Sequence, residues 1–110
     1  MMNRMEERYL RYWWECRSKI DPQRTTEAYY RVFYDTRKRA VIVEKYGADH
    51  KLINTSKFTR RWDRLTRTES YDAEGNMKFY IIYRYGRLGD LVGAEYYSAS
   101  GEMLMFTDEF

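Results

Sequence analysis

Residues 69 to 77 of the chain are ESYDAEGNM, and residues 95 to 103 repeat nearly the same phrase as EYYSASGEM. An earlier copy is EKYGADHKL at residues 44 to 52, so that the three copies, each containing a glutamate in its first position, begin 25 and 26 residues apart. Three copies at almost constant spacing indicate a repeated structural unit, and such repeats determine an architecture before local propensities do.

Each copy contains a shorter unit, in which an aromatic residue is followed four positions later by a glycine-like residue and six positions later by Leu or Met. In Asp72-Ala73-Glu74-Gly75 a type I turn opens with Asp, and Gly75 then supplies the left-handed residue of a three-residue hairpin loop with a bulge. Counting degenerate versions, the glycine-like positions are Lys38, His50, Asp63, Gly75, Gly89 and Gly101. The sequence therefore predicts six hairpin turns.

Six turns separate seven predicted strands. They lie near 26–34, 40–46, 52–59, 65–71, 77–85, 91–97 and 103–109. Strands joined by such short reversals are sequential neighbours, so the prediction is an antiparallel meander. The apolar face is predicted to be the one with Tyr71, Met77, Phe79, Ile81, Tyr83, Tyr85, Leu91 and Tyr97.

The first 22 residues differ from the rest. An apolar stripe at helical spacing comprises Met5, Tyr9, Tyr12, Trp13, Cys16 and Ile20, and Asp21-Pro22 stops the pattern. The predicted fold is α+β, mainly β: one domain of residues 1–110, in which an N-terminal amphipathic helix (1–22) packs on the seven-stranded antiparallel meander sheet of the hairpin repeats (26–110). Trp13 and Cys16 are expected in the core.

Composition limits the classes of function. One cysteine excludes an internal disulfide, and no Cys/His spacing indicates a zinc site, so neither a metal nor a cofactor is expected. The N-terminal stretch contains charges throughout and no apolar run approaches a membrane span of roughly 18 residues. We therefore expect a cytoplasmic protein with no membrane contact.

Charge is distributed unevenly along the chain. Residues 1 to 67 contain 17 Lys/Arg and 9 Asp/Glu, whereas residues 68 to 110 contain 3 and 8. Such asymmetry can steer an acidic partner, or can simply keep the chain soluble. The densest basic cluster, interleaved with an aromatic residue, provides the candidate partner-binding residues Lys57, Arg60, Arg61, Trp62, Arg64 and Arg67.

Residues 71 to 103 resemble the bacterial MORN-variant repeat family of tandem β-hairpins. The matching positions are Tyr71-Asp72, Gly75, Tyr85-Gly86, Leu91, Gly93, Glu95-Tyr96-Tyr97 and Gly101. The likeness blurs over residues 34 to 70, and the segment KFTRRWDRLTR has no counterpart in the family pattern. The resemblance implies a hairpin array used for binding, and some members of the family are labelled antitoxins. It implies no catalytic residues.

Three functions compete. We expect a non-enzymatic protein-binding module, antitoxin-like or inhibitor-like, that binds an unidentified protein through exposed Tyr, Arg and Trp, or a second copy through a sheet face or a terminal strand. The alternative is nucleic-acid binding through the basic hairpin around Trp62. An enzyme is the third: Glu44, Glu69 and Glu95 share a face with tyrosines, but strands two apart lie roughly 9–10 Å from each other, too far for strong coupling, so no catalytic residue is predicted.

Overall fold

The computed structural model describes residues 5 to 108, which form eight strands that follow one another in chain order as an antiparallel meander. The strands are β1 (Glu6–Leu10), β2 (Tyr29–Tyr34), β3 (Ala40–Tyr46), β4 (Leu52–Arg61), β5 (Arg64–Tyr71), β6 (Met77–Tyr85), β7 (Leu91–Ser98) and β8 (Met103–Thr107). Seven of them agree with the predicted strands to within three residues, except that residue 109 lies outside the described part.

The predicted N-terminal helix is wrong. Within residues 5 to 108 no helix occurs, and the fold is all-β, because Glu6–Leu10 extends alongside β2 as an eighth strand. Leu10, which is not on the predicted helical stripe, is completely buried, whereas Cys16 on that stripe is exposed. Residues 1 to 4, where the helix prediction began, lie outside the described residues.

A local turn explains why the segment after β1 does not continue as a helix. The backbone N–H of Arg11 donates to the carbonyl of Ser18 at 2.8 Å, and Leu10 forms a β-bridge with Lys19. The Ser18 hydroxyl donates to the carbonyl of Tyr12 and also accepts from the Tyr12 N–H, which is the competition with helical bonding that serine side chains provide. The chain therefore reverses and packs back along β1.

Five of the turns share the predicted three-residue loop with a bulge. In each turn, the residue that precedes the loop makes two backbone hydrogen bonds of 2.8 to 3.1 Å. Its N–H donates to the carbonyl of the residue four positions later, and its carbonyl accepts from the N–H of the residue three positions later. These residues are Asp35, Gly47, Asp72, Gly86 and Ser98. The residue at the glycine-like position has positive φ in every case: Lys38, His50, Gly75, Gly89 and Gly101. A register shift accompanies the turns after β2, β5, β6 and β7, confirming the bulge there.

The predicted apolar face is wrong because of these bulges. Tyr97 lies opposite Tyr80, whereas Phe79, Ile81 and Tyr83 point to the other side of the sheet. The extra residue at each bulge breaks the strict alternation on which the prediction relied, so the predicted set mixes two faces.

The chain divides into two compact units, the first ending at Ser56 and the second beginning at Lys57. The buried hydrophobic residues of the first unit are Leu10, Tyr29, Val32 and Val43. Among residues 57 to 108 of the second unit, Ala94 is the buried hydrophobic residue. The polar Thr68 is also buried, and its hydroxyl lies 3.1 Å from the Tyr83 hydroxyl. Much of the packing in the second unit is therefore done by half-buried aromatic rings.

Candidate interaction site

The hairpin between β4 and β5 carries the predicted basic cluster and differs from the other turns. Its strands end at Arg61 and resume at Arg64, so the loop has two residues, Trp62 and Asp63, instead of three. Their φ angles are 55° and 67°. Two consecutive residues with positive φ are the signature of a type I′ turn, which usually contains Asn-Gly or Asp-Gly. A bulky tryptophan is unusual there.

Trp62 is displayed at the tip of this hairpin. The relative exposure of Trp62 is 85%, the highest of the three tryptophans. Trp14 is 65% exposed, and Trp13 is half-buried. Arg61 and Arg64, which flank the loop, are also exposed. The loop therefore presents an exposed indole, with an exposed arginine on either side of the loop in the sequence.

The remaining candidate cations lie against aromatic rings of the second unit. The Lys57 ammonium is 4.8 Å from the centre of the Tyr71 ring, and the Arg60 guanidinium is 6.0 Å from that of Phe58. Cation–π contacts of this kind attract the charged groups to the rings and hold them in place.

Arg64 and Arg67 are fixed more firmly. The Arg64 guanidinium lies over the Tyr85 ring at 5.5 Å and crosses Gly89, where an added Cβ would stand 2.1 Å from its nitrogen. Arg67 donates to Glu69 at 3.0 Å and lies 4.2 Å from the centre of the Tyr80 ring. The structure thus brings the six candidates onto one hairpin but leaves Trp62, with Arg61, as its most freely accessible part.

The glutamates of the repeated phrase form a recurring triad. Each accepts a hydrogen bond from the tyrosine two residues later, at 3.1 Å for Tyr46–Glu44, 3.0 Å for Tyr71–Glu69 and 2.9 Å for Tyr97–Glu95. Each also pairs with an arginine, at 3.7 Å for Arg31–Glu44, 3.0 Å for Arg67–Glu69 and 2.7 Å for Arg84–Glu95. The repeated phrase therefore encodes a Glu–Tyr hydrogen bond as well as a turn, and an arginine from outside the phrase completes each triad.

The electrostatics of the last triad show what its carboxylate does. Arg84, followed by the Tyr97 hydroxyl, lowers the pKa of Glu95, and the hydrogen bond to Glu95 raises the pKa of the Tyr97 phenol, with burial adding to the effect. A general base works best with a pKa near the operating pH, so a carboxylate held ionised by an arginine is poorly suited to that role. The triad of Arg84, Glu95 and Tyr97 fits a structural role.

A cleft in the first unit was missed by the sequence reasoning. Its volume is about 570 Å³, and its lining includes Tyr29, Arg31, Tyr46 and His50. The His50 Nδ1 lies 3.1 Å from the Tyr29 hydroxyl, and the Tyr29 and Tyr46 rings are stacked with centres 5.3 Å apart. The stacking leaves no room for a ligand between these two rings. The predicted left-handed conformation of His50 is confirmed.

Arg31 at the centre of this cleft is already engaged. Its Nε donates to Glu7 at 3.0 Å, a contact that raises the pKa of the guanidinium further, and its other end approaches Glu44. Its guanidinium also lies 4.6 Å from the centre of the Phe33 ring. The cleft therefore contains a neutralised cation and not an anion site. Among residues 5 to 108, no group of three or more His, Cys, Asp or Glu side chains is placed to hold a metal ion.

Comparison with known proteins adds no assignment, because no protein-family model, curated protein or solved structure matches the chain. The resemblance to MORN-variant repeats stays a prediction. The description of the chain as a repeat-family, antitoxin-like protein is corrected: what the structure supports is an antiparallel meander of strands, and nothing in the comparisons supports that label. Within the described residues, no helix is long and apolar enough to span a membrane.

Proposed function

We propose that the chain is a non-enzymatic protein-binding module that inserts Trp62, at the tip of the β4–β5 hairpin, into a pocket of a partner protein. The observation that carries this proposal is the combination of high exposure and positive φ at Trp62. Both are unfavourable in the isolated chain, since an exposed indole forgoes burial and a non-glycine residue in the left-handed region costs about 1–3 kcal/mol. A partner pocket that buries the indole offsets both.

The chemistry of the partner follows from the residues beside the tryptophan. Arg61 and Arg64 flank the loop and are exposed, so an acidic rim around an apolar pocket is the complement that they favour. Trp and Arg are the residue types most enriched among those that dominate binding energy. A cytoplasmic location is part of the proposal, and it is supported by the free, exposed Cys16, which a reducing compartment preserves as a thiol.

Nucleic-acid binding is the second candidate, because five cations, Lys57, Arg60, Arg61, Arg64 and Arg67, share the hairpin with Trp62. Stacking on an exposed indole beside phosphate-binding arginines would bind single strands. All of these cations except Arg61 lie over aromatic rings of the second unit, which limits how far they can follow a nucleic-acid backbone. Such binding would weaken steeply with salt, whereas burial of the indole in a protein pocket would not.

Substitution of the tryptophan tests the proposal. Wild-type protein and the variants Trp62→Ala and Trp14→Ala are each immobilised and exposed to host lysate at 150 and 500 mM salt, with retained proteins identified by mass spectrometry. We expect a partner that is retained at both salt concentrations by wild type and by Trp14→Ala, the matched control with another exposed indole, and lost with Trp62→Ala.

A stability measurement separates binding from folding. Trp62→Gly removes the left-handed strain, so its free energy of unfolding should equal or exceed that of wild type while the partner is lost. Identical sets of retained proteins for wild type and Trp62→Ala would contradict the proposal, and retention of nucleic acid that disappears at 500 mM salt would favour the second candidate.

A further inference from the structure

Strand β8 exposes apolar side chains on both of its faces. Met103, Leu104, Met105 and Phe106 are consecutive, and each leaves at least half of its surface exposed, at 51, 61, 51 and 53%. By register, Met105 lies opposite Tyr96 and Phe106 opposite Glu95, so neighbouring residues point to opposite sides of the sheet. A run of four exposed apolar residues is rare in strands unless something binds there.

β8 also lies at the end of the strand order, and among the described residues it pairs with β7 alone. Residues 103 to 106 therefore lie on an edge of the sheet, where backbone N–H and C=O groups can pair with a further strand. Edge strands are usually protected by lysine, by proline or by inward-pointing charges, and β8 contains none of these. β1 offers a contrast, because Glu6, Glu7 and Arg8 make up most of that strand.

The side chains of β8 contact residues of β6 and β7 but remain largely exposed to solvent. The Phe106 ring lies over Gly93 of β7, where an added Cβ would stand 2.7 Å from two ring carbons. On the other side, Phe79, Tyr96, Leu104 and Met105 line an apolar depression of about 240 Å³. β7 therefore supports the strand from one side, while residues 103 to 106 keep half or more of their surface exposed beside the sheet edge.

The charges at the two ends of β8 select the occupant. Glu102 and Asp108, both exposed, bracket the five apolar and polar residues of the strand. A symmetric antiparallel pair that used the whole of β8 in two copies would centre on Met105 and would place Glu102 of each copy opposite Asp108 of the other. Like charges directly opposite each other destabilise a strand pair. A strand with basic residues six positions apart is the complementary partner.

We propose that β8 is a β-augmentation site, which accepts an extended segment of a partner protein as a ninth strand, with apolar side chains between two flanking Lys or Arg residues. Backbone hydrogen bonds to the β8 edge supply affinity, and Glu102 and Asp108 fix the register. This surface shares no residue with the Trp62 hairpin, so the proposal does not rest on the function proposed above.

The experiment uses the full chain and three blocked seven-residue peptides that carry a fluorophore. The first peptide has lysine at both ends and alternating valine and threonine between them. The second has glutamate at both ends, and the third has the lysine ends with proline at the central position. Binding is followed by fluorescence anisotropy, and amide hydrogen exchange of Met103–Thr107 is measured with and without peptide.

We expect the lysine peptide to bind at least tenfold more tightly than the glutamate peptide and to slow exchange in β8, while the proline peptide, which lacks one backbone donor, does not bind. The double variant Glu102→Lys with Asp108→Lys should reverse the preference between the two charged peptides. Both positions are exposed, so this variant is expected to fold. Trp62→Ala should leave peptide binding unchanged, which separates failure here from failure of the proposed function.

Three results would overturn the proposal. The first is equal binding of lysine and glutamate peptides, and the second is binding of the proline peptide as tightly as the lysine peptide. The third is the absence of peptide binding by wild type. If the chain then sediments as a dimer that Leu104→Thr converts to a monomer, the occupant of β8 is a second copy and not a basic partner strand.

Discussion

Replacing Leu10 with Ala tests the strand at the N-terminus most directly. Leu10 is completely buried in β1, opposite Tyr30 of β2, and truncation to Ala removes three carbon atoms from this environment. At about 0.8 kcal/mol per buried methylene, the transfer loss alone is about 2.4 kcal/mol. The cavity that remains adds to this loss, so we expect a total decrease in the free energy of unfolding of about 2.5–4 kcal/mol, within the range of about 2–5 kcal/mol for such changes.

The assay is urea denaturation followed by circular dichroism, with the midpoint and the slope fitted separately. An unchanged slope with a lower midpoint would show that stability and not compactness has changed. The matched variant is Cys16→Ser, which alters an exposed side chain in the turn after β1. Its effect should remain within about 0.5 kcal/mol, as for other exposed positions.

A larger loss of stability in Cys16→Ser than in Leu10→Ala would refute the reasoning. If residues 1 to 22 formed a helix with its apolar stripe on the sheet, Cys16 would be buried and Leu10 would lie beside the stripe. Cys16→Ser would then cost more than about 2 kcal/mol, because a hydroxyl would be buried, and Leu10→Ala would cost less than about 1 kcal/mol.

Two further predictions concern the hairpins and the triads. Gly75 has a φ of 86° with no heavy atom within 4 Å of an added Cβ, so Gly75→Ala should cost about 1–2 kcal/mol through backbone strain alone, measured by thermal unfolding against Ala73→Gly in the same loop. The lowered pKa of Glu95 means that its stabilising contribution is present above the unfolded value of about 4.3 and is lost as pH falls through the folded pKa. Arg84→Gln should therefore lower the melting temperature more at pH 7 than at pH 2.5; an equal effect at both pH values would exclude the ion pair as the cause.

The turns could be predicted from the sequence because their chemistry is local. Positive φ at a loop position is tolerated by glycine and by few other residues, and the spacing of six such positions fixed the seven strands between them. The loop at Trp62 and Asp63 was predicted as a three-residue loop but has two residues. Asp63 was predicted to be left-handed, whereas nothing in the residue type of Trp62 indicates its positive φ.

The N-terminal segment could not be predicted, because apolar residues at helical spacing also suit a short strand followed by a turn. The deciding contacts are not visible in any periodicity. The partners in β1 and β2 are 20 to 28 positions apart, and Ser18 closes the turn by hydrogen bonds of its side-chain hydroxyl and of its backbone carbonyl. The exposed edge could be predicted in part, as residues 103 to 109 were proposed as an edge strand. Residues 26 to 34 were also proposed as an edge, wrongly, since β1 pairs with β2.

The chain-order pairing of the strands has a consequence for the rate of folding. Each strand pairs with its neighbours in the sequence, and five or fewer residues separate the two strands of every hairpin from β2 to β8. Loop closure of this length costs little entropy and takes well under a millisecond, whereas sheets that pair distant strands must search for their partners. A sheet built in this way has a low contact order, so it should fold faster than β-sandwiches of similar length, with the pairing of β1 to β2 as the slowest step because it closes the longest loop.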